Sequence, residues 1–424
     1  MAAETTDNSV ASVTTGAGDV LAMLRGYRNI GRVLGFLGAA GLVMGLVVGI
    51  VQGDKTPFAP VLHSYVFGYT FWLCLSLGCL AVLFLQSVVK SAWGMSIVRI
   101  MEAGAKTLPI MALLFLPFAA AVWAGHSLGF HLYHWADPAT VAADPVLQHK
   151  SKYLNPVFWT IRAVFFFGFW IFATNFLSKS GLKQDQTKDQ RLAQQRVDWG
   201  APGGVLFVIT LTFAFTDWLM SLDPHWLSTI YGVWWMVTSM LAALALGTLF
   251  VTSQYKKRPY SEIISPLLTK DLGNMLLAFT MLWAYISLSQ FLIYWSGNLP
   301  EYNTFFVRRF EGPLVYVGAF LIFAQFFGPF LALLSGKTKR TPELLRSVAA
   351  WILVIRFVDV FWQVVPFFGR GFTAEFAGAY LLDLAAWAFV GGVWVTVFVG
   401  ELRRHPLIPL YDTRLIENAR EAHH

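Results

Sequence analysis

The chain has 424 residues, of which 56% are hydrophobic and only 13% are charged. An ordinary soluble domain carries roughly 25% charged residues, so this composition excludes an average water-soluble enzyme. The formal net charge of +7 reflects where Lys and Arg lie around apolar segments, and does not indicate a nucleic-acid-binding protein.

Residues 1–22 contain no Lys or Arg and are rich in Ser, Thr, Ala and Gly. A signal peptide begins with positive charge, so this composition instead predicts a flexible cytoplasmic tail, to which we assign residues 1–29. Apolar runs then recur along the chain, each long enough to cross a hydrocarbon core of about 30 Å. The predicted spans are residues 30–51, 63–89, 99–125, 158–177, 203–222, 229–253, 274–296, 313–335, 348–367 and 376–399.

These ten spans predict an all-α integral membrane domain over residues 30–400, followed by a cytoplasmic C-terminal tail over residues 401–424. Most of the 31 Lys and Arg residues fall in alternate connections, on the side that carries both termini. The positive-inside rule therefore places both termini in the cytoplasm. The charge bias also supports the number of spans, because one missed helix would invert every later connection.

The first span carries glycines at short helical intervals, and the last three recur every fourth residue: Gly35, Gly38, Gly41, Gly45 and Gly49. Small residues at this spacing let a second helix approach closely in lipid, where van der Waals packing drives helix association. We therefore expect a packing face here in preference to a substrate site.

Ionisable side chains within spans identify the residues that could carry chemistry, since each is costly in lipid and is expected to face the protein interior. In the third span Arg99, Glu102 and Lys106 share one helical face, and Glu102 is predicted to pair with Lys106. Two interpretations remain open. One is a self-neutralised helix start whose side chains reach the headgroups, and the other is a site of proton uptake.

The ninth span repeats this spacing close to the bilayer centre, with Arg356, Asp359 and Gln363. A neighbouring cation favours the ionised carboxylate of Asp359, whereas burial opposes it, so the protonation of this group can respond to its surroundings. The pattern favours a proton relay. The alternative is a permanent buried ion pair that fixes helix packing.

Other carboxylates lie nearer the predicted periplasmic side. Asp217 in the fifth span and Asp383 in the tenth have no basic neighbour in sequence, so each needs a partner elsewhere, water, or a proton. Asp223 and His225 follow the fifth span in a turn that contains Pro224, and both are predicted at the surface, with helix capping as the alternative role for this turn.

The seventh span carries an uncharged polar stripe made of Trp283, Ser287, Gln290 and Tyr294. The stripe is typical either of a wet crevice or of hydrogen bonds to a neighbouring helix.

The loop after the third span is rich in histidine, with His126, His131, His134 and His149. No cysteine and no HExxH pattern accompanies these residues, so the spacing disfavours a metal site. Haem-attachment and phosphate-binding motifs are also missing from the sequence. We therefore expect no cofactor or metal held by this chain itself.

Several motifs together resemble a known membrane family. They are residues 153–155 (YLN), 216–226 (TDWLMSLDPHW), 283–291 (WAYISLSQF), 297–301 (GNLPE) and 405–409 (HPLIP). Over nearly the whole chain after the tail, they resemble the ten-helix membrane subunits of bacterial alternative complex III, within the NrfD or polysulfide-reductase-like family. The chain's length and its cytoplasmic tail look more like the shorter ActF type than its sister, the ActC type.

The resemblance implies a core of two four-helix bundles in the bacterial inner (cytoplasmic) membrane. It also implies partners: a sister ten-helix subunit, an iron–sulfur subunit and c-type cytochrome subunits, which hold the iron–sulfur clusters and c-type haems. The complex would oxidise quinol and pass electrons to cytochrome c or an oxidase. A quinone pocket does not map residue by residue onto this chain, although Tyr285 and Gln290 are candidates for a quinone or polar-crevice site.

The leading hypothesis is a quinol-oxidising complex in which this chain contributes a transmembrane proton path. Its candidate residues are Glu102 near the cytoplasmic mouth, Arg356 and Asp359 at the middle, and Asp217, Asp223 and Asp383 toward the periplasm. These acids are expected to share one hydrated interior. The alternatives are a chain that itself binds quinone, an unrelated proton-coupled secondary transporter, and a structural scaffold beside its sister subunit.

Overall fold

The computed structural model describes residues 18–89, 91–125, 130–299, 303–310, 312–371 and 377–409. His126, residues 1–17 of the predicted N-terminal tail and residues 410–424 of the predicted C-terminal tail lie outside these ranges. Within them the chain forms helices and no β-strand, and ten helices are long and apolar enough to cross a membrane. The prediction of an all-α, multi-pass membrane protein with ten spans is therefore confirmed.

The spanning helices are labelled in chain order. They are α1 (Gly18–Val51), α2 (Phe58–Val89), α3 (Ala92–Ala124), α4 (Pro156–Thr187), α5 (Arg191–Leu222), α6 (Tyr231–Ser253), α7 (Pro266–Gly297), α8 (Leu314–Leu334), α9 (Pro342–Phe368) and α10 (Ala377–Leu402). Each helix begins or ends within a few residues of its predicted span, but α1 begins at Gly18 instead of Ile30, α5 begins at Arg191 instead of Gly203, and α4 ends at Thr187 instead of Leu177. Residues 18–29 of the expected flexible tail are therefore helical. We call the end of the bundle where α1 begins the basic end, because its connections carry most of the Lys and Arg residues.

Side-chain caps fix where two of these helices begin. The Asn155 Oδ1 atom accepts a hydrogen bond from the Phe158 backbone N–H at 2.9 Å at the start of α4. The Ser265 Oγ atom accepts from the Leu268 N–H at 3.1 Å at the start of α7. Such caps satisfy N–H groups that have no partner within the first helical turn.

Proline interrupts two helices. α3 consists of the segments Ala92–Ala105, Leu108–Leu114 and Leu116–Ala124, and the second and third carry proline in their first turn. In α8 a π-helical turn, Ile322–Phe327, precedes Pro329. Proline lacks an N–H and clashes with the carbonyl one turn earlier, so the backbone breaks or widens at these points.

The helices pack as two four-helix groups. In the first, α2 contacts α3 and α5, and α4 contacts the same two helices. In the second, α6 contacts α7 and α9, and α8 contacts these two. α2 and α6 pack on each other and are the most buried spans. α10 packs on α2, and α1 packs mainly on α10. The core of two four-helix bundles therefore agrees with the expected architecture.

The predicted glycine face of α1 packs against α10. A Cβ atom added at Gly38 would lie 2.2 Å from the backbone nitrogen of Phe389, and one at Gly41 would lie 2.8 Å from the Ala385 Cβ atom. From the other side, a Cβ at Gly392 would lie 2.1 Å from the Gly35 nitrogen. The two backbones are thus in direct contact, as small residues allow.

Replacing Gly38 by Ala is expected to destabilise the protein by about 1–3 kcal/mol, because the new methyl group would overlap the α10 backbone. Gly26→Ala is the matched control on the same helix, since a Cβ there meets nothing within 4 Å. We expect this control to be neutral or stabilising by up to roughly 1 kcal/mol, because alanine favours the helix. Thermal unfolding of both purified variants in detergent measures the difference, and equal midpoints would contradict the packing contact.

Candidate functional site

At the basic end, α3, α4 and α10 meet around buried charges. Arg99 Nη1 donates to Glu102 Oε2 at 2.6 Å, and Arg99 Nη2 also pairs with Asp185 of α4. Lys106 instead lies near α10, with its Nζ atom 3.7 Å from Glu401 Oε2. The predicted Glu102–Lys106 pair is therefore wrong. The Lys106 backbone keeps its helical hydrogen bond to the Glu102 carbonyl, but Arg99 occupies the Glu102 carboxylate and Glu401 of α10 is the carboxylate beside Lys106.

Small cavities border these charges. One of about 40 Å³ is lined by Arg99, Glu102, Asp185, Arg196 and Pro409, among others. Another, of about 220 Å³, is lined by residues that include Lys106, Asn175 and Glu401. Both exceed the roughly 10–15 Å³ that one water needs, and charged side chains contribute to the lining of both. The smaller cavity therefore has room for water beside Glu102.

The segment after α10 folds back over this region. Leu407 and Ile408 are only 4% and 5% exposed, and the Tyr260 hydroxyl donates to the Leu407 carbonyl at 3.3 Å. The His405 Nε2 atom lies 3.5 Å from Lys106 Nζ, and Pro409 lines the smaller cavity. Residues 403–409 thus cover the approach to Glu102, a contact that the sequence did not predict.

Docking of this segment is expected to weaken in acid. Partial burial, together with the charges of Lys106 and Arg99, lowers the pKa of His405 below its usual value of 6.5. The docked state therefore binds fewer protons than the released state, so its stability is fully present above about pH 6.5 and falls as the pH drops below that value. Amide hydrogen exchange of residues 403–409 at about pH 7.5 and about pH 5.5 measures the change.

The matched variant is His405→Asn, which removes the titrating group. After correction for intrinsic exchange rates, it should lose the pH dependence of protection in this segment. An unchanged pH dependence in His405→Asn would assign the effect to another group.

Asp217 is fully buried and forms an ion pair with a residue of another helix. Arg162 of α4 binds it through two hydrogen bonds, Nε to Oδ2 at 2.6 Å and Nη2 to Oδ1 at 3.1 Å. Arg162 also donates to the Tyr153 carbonyl at 3.0 Å and stacks on the Tyr153 ring at 3.9 Å. Both oxygens of the carboxylate are thus satisfied, and the pair joins α4 to α5.

Asp223 is buried, so its predicted place at the surface is wrong. It is 3% exposed, and its Oδ2 atom lies 3.3 Å from Arg308 Nη2. Lys150 donates to the neighbouring Pro224 carbonyl at 2.5 Å and closes the loop over this turn. Burial lowers the pKa of Lys150, although Asp223 and Asp144 partly oppose this. His225 is half exposed, as expected, and lies 2.9 Å from Asp144 Oδ2.

Asp383 pairs with the connection that precedes its own helix. Arg370 Nη1 donates to both carboxylate oxygens, at 3.1 Å and 3.3 Å, and lies 3.5 Å from the Ser64 hydroxyl of α2. Asp383 is 2% exposed. The pair holds the start of α10 against α2.

Arg356 and Asp359 form an ion pair within the second bundle, and both are 1% exposed. Arg356 Nη1 lies 3.1 Å from Asp359 Oδ2, and Gln363 Nε2 donates to the same oxygen at 2.8 Å. The guanidinium carbon lies 5.1 Å from the Trp283 ring centroid of α7. Cys74 of α2 also lies within electrostatic range of the pair. The predicted grouping of Arg356, Asp359 and Gln363 is therefore present.

The hydrogen bonding of this pair differs from that of Asp217 and Arg162. Three of the residues carry buried polar atoms without a hydrogen-bond partner among the described residues: Arg356 Nε, Nη1 and Nη2, Trp283 Nε1, and Gln363 Oε1. We call this group the Arg356 niche. Buried polar atoms of this kind are commonly satisfied by internal water, so the niche offers donors and an acceptor for water or another polar molecule.

A further arginine that the sequence placed only in a loop proves to be fully buried. Arg309 donates to the carbonyls of Trp362 and Gln363, at 2.9 Å and 2.6 Å, and to that of Phe305 at 2.6 Å. It thereby caps the end of α9 beside the Arg356 niche. Burial lowers the pKa of Arg309 to about 9, so the guanidinium is still a cation at neutral pH.

The two candidate quinone residues of α7 do not share a site. Gln290 is 1% exposed, and its Oε1 atom accepts from the Ser228 hydroxyl at 2.8 Å. Tyr285 is 67% exposed and lies on a different face of the helix. Tyr294 donates to the Leu227 carbonyl. Two residues of the polar stripe, Gln290 and Tyr294, therefore bond the loop that precedes α6, whereas Trp283 Nε1 and Ser287 Oγ have no hydrogen-bond partner among the described residues.

The six predicted path residues, Glu102, Asp217, Asp223, Arg356, Asp359 and Asp383, are all buried. The structure does not bring the five acids into contact with one another. Each acid pairs with a different arginine: Arg99, Arg162, Arg308, Arg356 and Arg370. Among the described residues, Arg370 Nε and Nη2 also lack a hydrogen-bond partner, but Arg370 is 7% exposed, whereas Arg356 and Asp359 are each 1% exposed. The Arg356–Asp359 pair is thus the most deeply buried of the pairs whose arginine has unpaired donors.

No group of three or more His, Cys, Asp or Glu side chains suited to a metal ion occurs in the part of the chain that the structure describes. No protein-family model matches the chain. No curated protein is significantly similar to it.

Proposed function

We propose that this chain is an integral membrane subunit of a quinol-oxidising electron-transfer complex of the alternative complex III type, most similar to the ActF subunit. Two features support the proposal: the motifs that resemble those of that family, and a core of two four-helix bundles of the kind that the resemblance implies. The membrane would be the bacterial cytoplasmic membrane, with both termini in the cytoplasm.

In this proposal the chain contributes part of a transmembrane proton path, and Asp359 is the group that exchanges protons. The observation that supports this role is the Arg356 niche. The Arg356 cation favours the ionised form of Asp359, whereas burial of the pair opposes this form. A small change in position or hydration can therefore move a proton on or off Asp359. Gln363 and Trp283 supply further polar atoms beside the pair.

The other acids would have different roles. Glu102 lies beside cavities at the basic end and is suited to exchange protons with the cytoplasm. Asp217, Asp223 and Asp383 are each held by an arginine, and we assign them to fixing the helices around the path. Electrons would travel through iron–sulfur clusters and c-type haems on partner subunits, and a sister ten-helix subunit would lie beside this chain.

Purification from native membranes through a tag on this chain tests the assignment. We expect it to co-purify with c-type cytochrome and iron–sulfur subunits, seen as haem absorbance and cluster electron paramagnetic resonance signals. The purified assembly should reduce cytochrome c or an oxidase when supplied with quinol. A chain that purifies alone, stays monodisperse and drives ion-coupled solute uptake in vesicles would instead be a secondary transporter, and the proposal would be wrong.

A further inference from the structure

A large apolar groove lies between α1 and the rest of the protein. Its volume is about 720 Å³, within the range of small-molecule sites, and residues of α1, α2, α6, α9 and α10 line it. It forms because α1 packs on α10 through its glycine face, at Gly31 and Gly35, while the other side of α1 stands away from α6 and α9. We call it the α1 groove.

Aromatic rings form much of the wall of the α1 groove. They are Phe71, Trp72, Phe357, Trp387, Trp394 and Phe398. Two of these rings are fixed by hydrogen bonds, since Trp72 Nε1 donates to the Trp387 carbonyl at 2.9 Å and Trp394 Nε1 donates to the Ser76 hydroxyl at 2.9 Å. The wall is therefore a preformed apolar surface.

The groove is open to the bilayer. Residues of its lining on three helices are exposed at its rim: Ile30 is 53% exposed, Val354 is 64% exposed and Leu384 is 50% exposed. Because these side chains border both the groove and the lipid, a chain molecule can enter sideways from the membrane.

The mouth of the groove at the basic end is polar. Gln254, at the end of α6, lines it and is 3% exposed. The Gln254 Oε1 atom has no hydrogen-bond partner among the described residues, and Nε2 lies 3.3 Å from the Met23 sulfur, a weak acceptor. An unpaired buried carbonyl is costly, so Oε1 is suited to accept a hydrogen bond from a ligand.

Basic residues outnumber acidic ones near this mouth, where Glu401 already pairs with Lys106 and Arg404. The three helix ends that meet there carry basic residues within about one turn of groove-lining residues: Arg25 and Arg28 on α1, Lys256 and Lys257 after α6, and Arg403 after α10. Basic residues at this depth attract anionic lipid headgroups.

We propose that the α1 groove binds one anionic phospholipid that carries a hydroxyl-bearing headgroup, such as phosphatidylglycerol. An acyl chain lies along the aromatic wall, the phosphate faces the basic residues at the mouth, and a headgroup hydroxyl donates to Gln254 Oε1. The bound lipid fills the gap between α1 and α9. This site is independent of the role proposed above in quinol oxidation, because it requires only that the chain spans a membrane.

Native mass spectrometry of the chain, purified with any subunits that stay bound to it and extensively delipidated, tests the site. After titration with phosphatidylglycerol or phosphatidylcholine, we expect one phosphatidylglycerol to bind with preference over phosphatidylcholine. Leu249→Trp and Leu246→Trp each fill the groove from α6 and should weaken this binding by about tenfold or more. Lys256→Gln combined with Lys257→Gln should weaken it by roughly tenfold while leaving phosphatidylcholine binding unchanged.

Matched controls separate the groove from general effects. Leu331→Trp adds the same bulk to an exposed position on α8, and Lys337→Gln with Arg340→Gln removes two charges at another basic-end connection. Both should bind phosphatidylglycerol like the wild type. Equal binding by the groove-filled variants, equal affinity for the two lipids, or a quinone recovered from the groove in place of phospholipid would each overturn the proposal.

Discussion

Replacing Arg162 by Leu is expected to lower the free energy of unfolding by about 3–5 kcal/mol, the range found when one partner of a buried ion pair is removed. Asp217 is fully buried, and both its oxygens are bonded by Arg162. Without the guanidinium its charge would be unpaired in the interior, and the Tyr153 carbonyl would also lose a donor. This is the largest stability effect that we expect in the protein.

Titration with a denaturing detergent measures the loss, and a double variant tests its cause. Arg162→Leu combined with Asp217→Leu removes both charges, so it should recover most of the stability lost in the single variant. Arg404→Leu is the control, because the Arg404–Glu401 pair lies at the surface and Arg404 is 70% exposed. Such a pair contributes at most about 1 kcal/mol. A single variant as stable as this control would show that the Arg162–Asp217 bonds matter little.

The spans were predictable because the signal for them is local. A run of apolar residues long enough to cross lipid is read from neighbouring positions, and so is the glycine face of α1. The grouping of Arg356 with Asp359 was equally accessible, since one helical turn separates them. In each case the sequence interval fixes the geometry, provided that the helix is regular.

The prediction for Lys106 failed although its backbone keeps the helical hydrogen bond to the Glu102 carbonyl. Arg99 occupies the Glu102 carboxylate, and Lys106 lies beside Glu401 of α10, which is distant in sequence, so the expected pair does not form. The prediction that Asp223 lies at the surface failed for a different reason. A turn after a span is usually exposed, but here the loop that carries Lys150 and the segment that carries Arg308 close over it.

Partners distant in sequence could not be predicted at all. Arg162 and Asp217 lie on separate helices, and Arg370 reaches Asp383 from a connection. Arg309 lies between the seventh and eighth apolar runs of the sequence, yet it is buried against the end of α9. Only the packing of the bundle decides such contacts, and an isolated acid in a span indicates merely that some partner is needed.

These contacts divide the buried acids by the state of their hydrogen bonds. The Asp217 carboxylate is held by two hydrogen bonds from one guanidinium, in a geometry that favours a permanent charge. Asp359 accepts a hydrogen bond from an amide, and the arginine beside it has N–H groups without partners. A proton relay requires a group whose surroundings can rearrange, so the Arg356 niche is the better candidate of the two.

Asp359→Asn is therefore expected to reduce proton release coupled to quinol oxidation by about tenfold or more in proteoliposomes that contain the assembled complex. Asparagine keeps the size of the side chain and can still accept a hydrogen bond from Gln363, but it cannot take up a proton. Asp359→Glu, which restores the carboxylate, should retain a larger part of the activity. Proton release is measured with a pH-sensitive dye, alongside the rate of quinol oxidation.

Asp189→Asn is the matched control, since it makes the same chemical change at an exposed position after α4. Haem content and subunit composition must match the wild type in every variant, because a neutral residue beside Arg356 leaves a buried cation unpaired and could impair assembly. If Asp359→Asn assembles fully and keeps wild-type quinol turnover together with wild-type proton release, Asp359 is not in the path. The Arg356–Asp359 pair would then be a structural contact of α9.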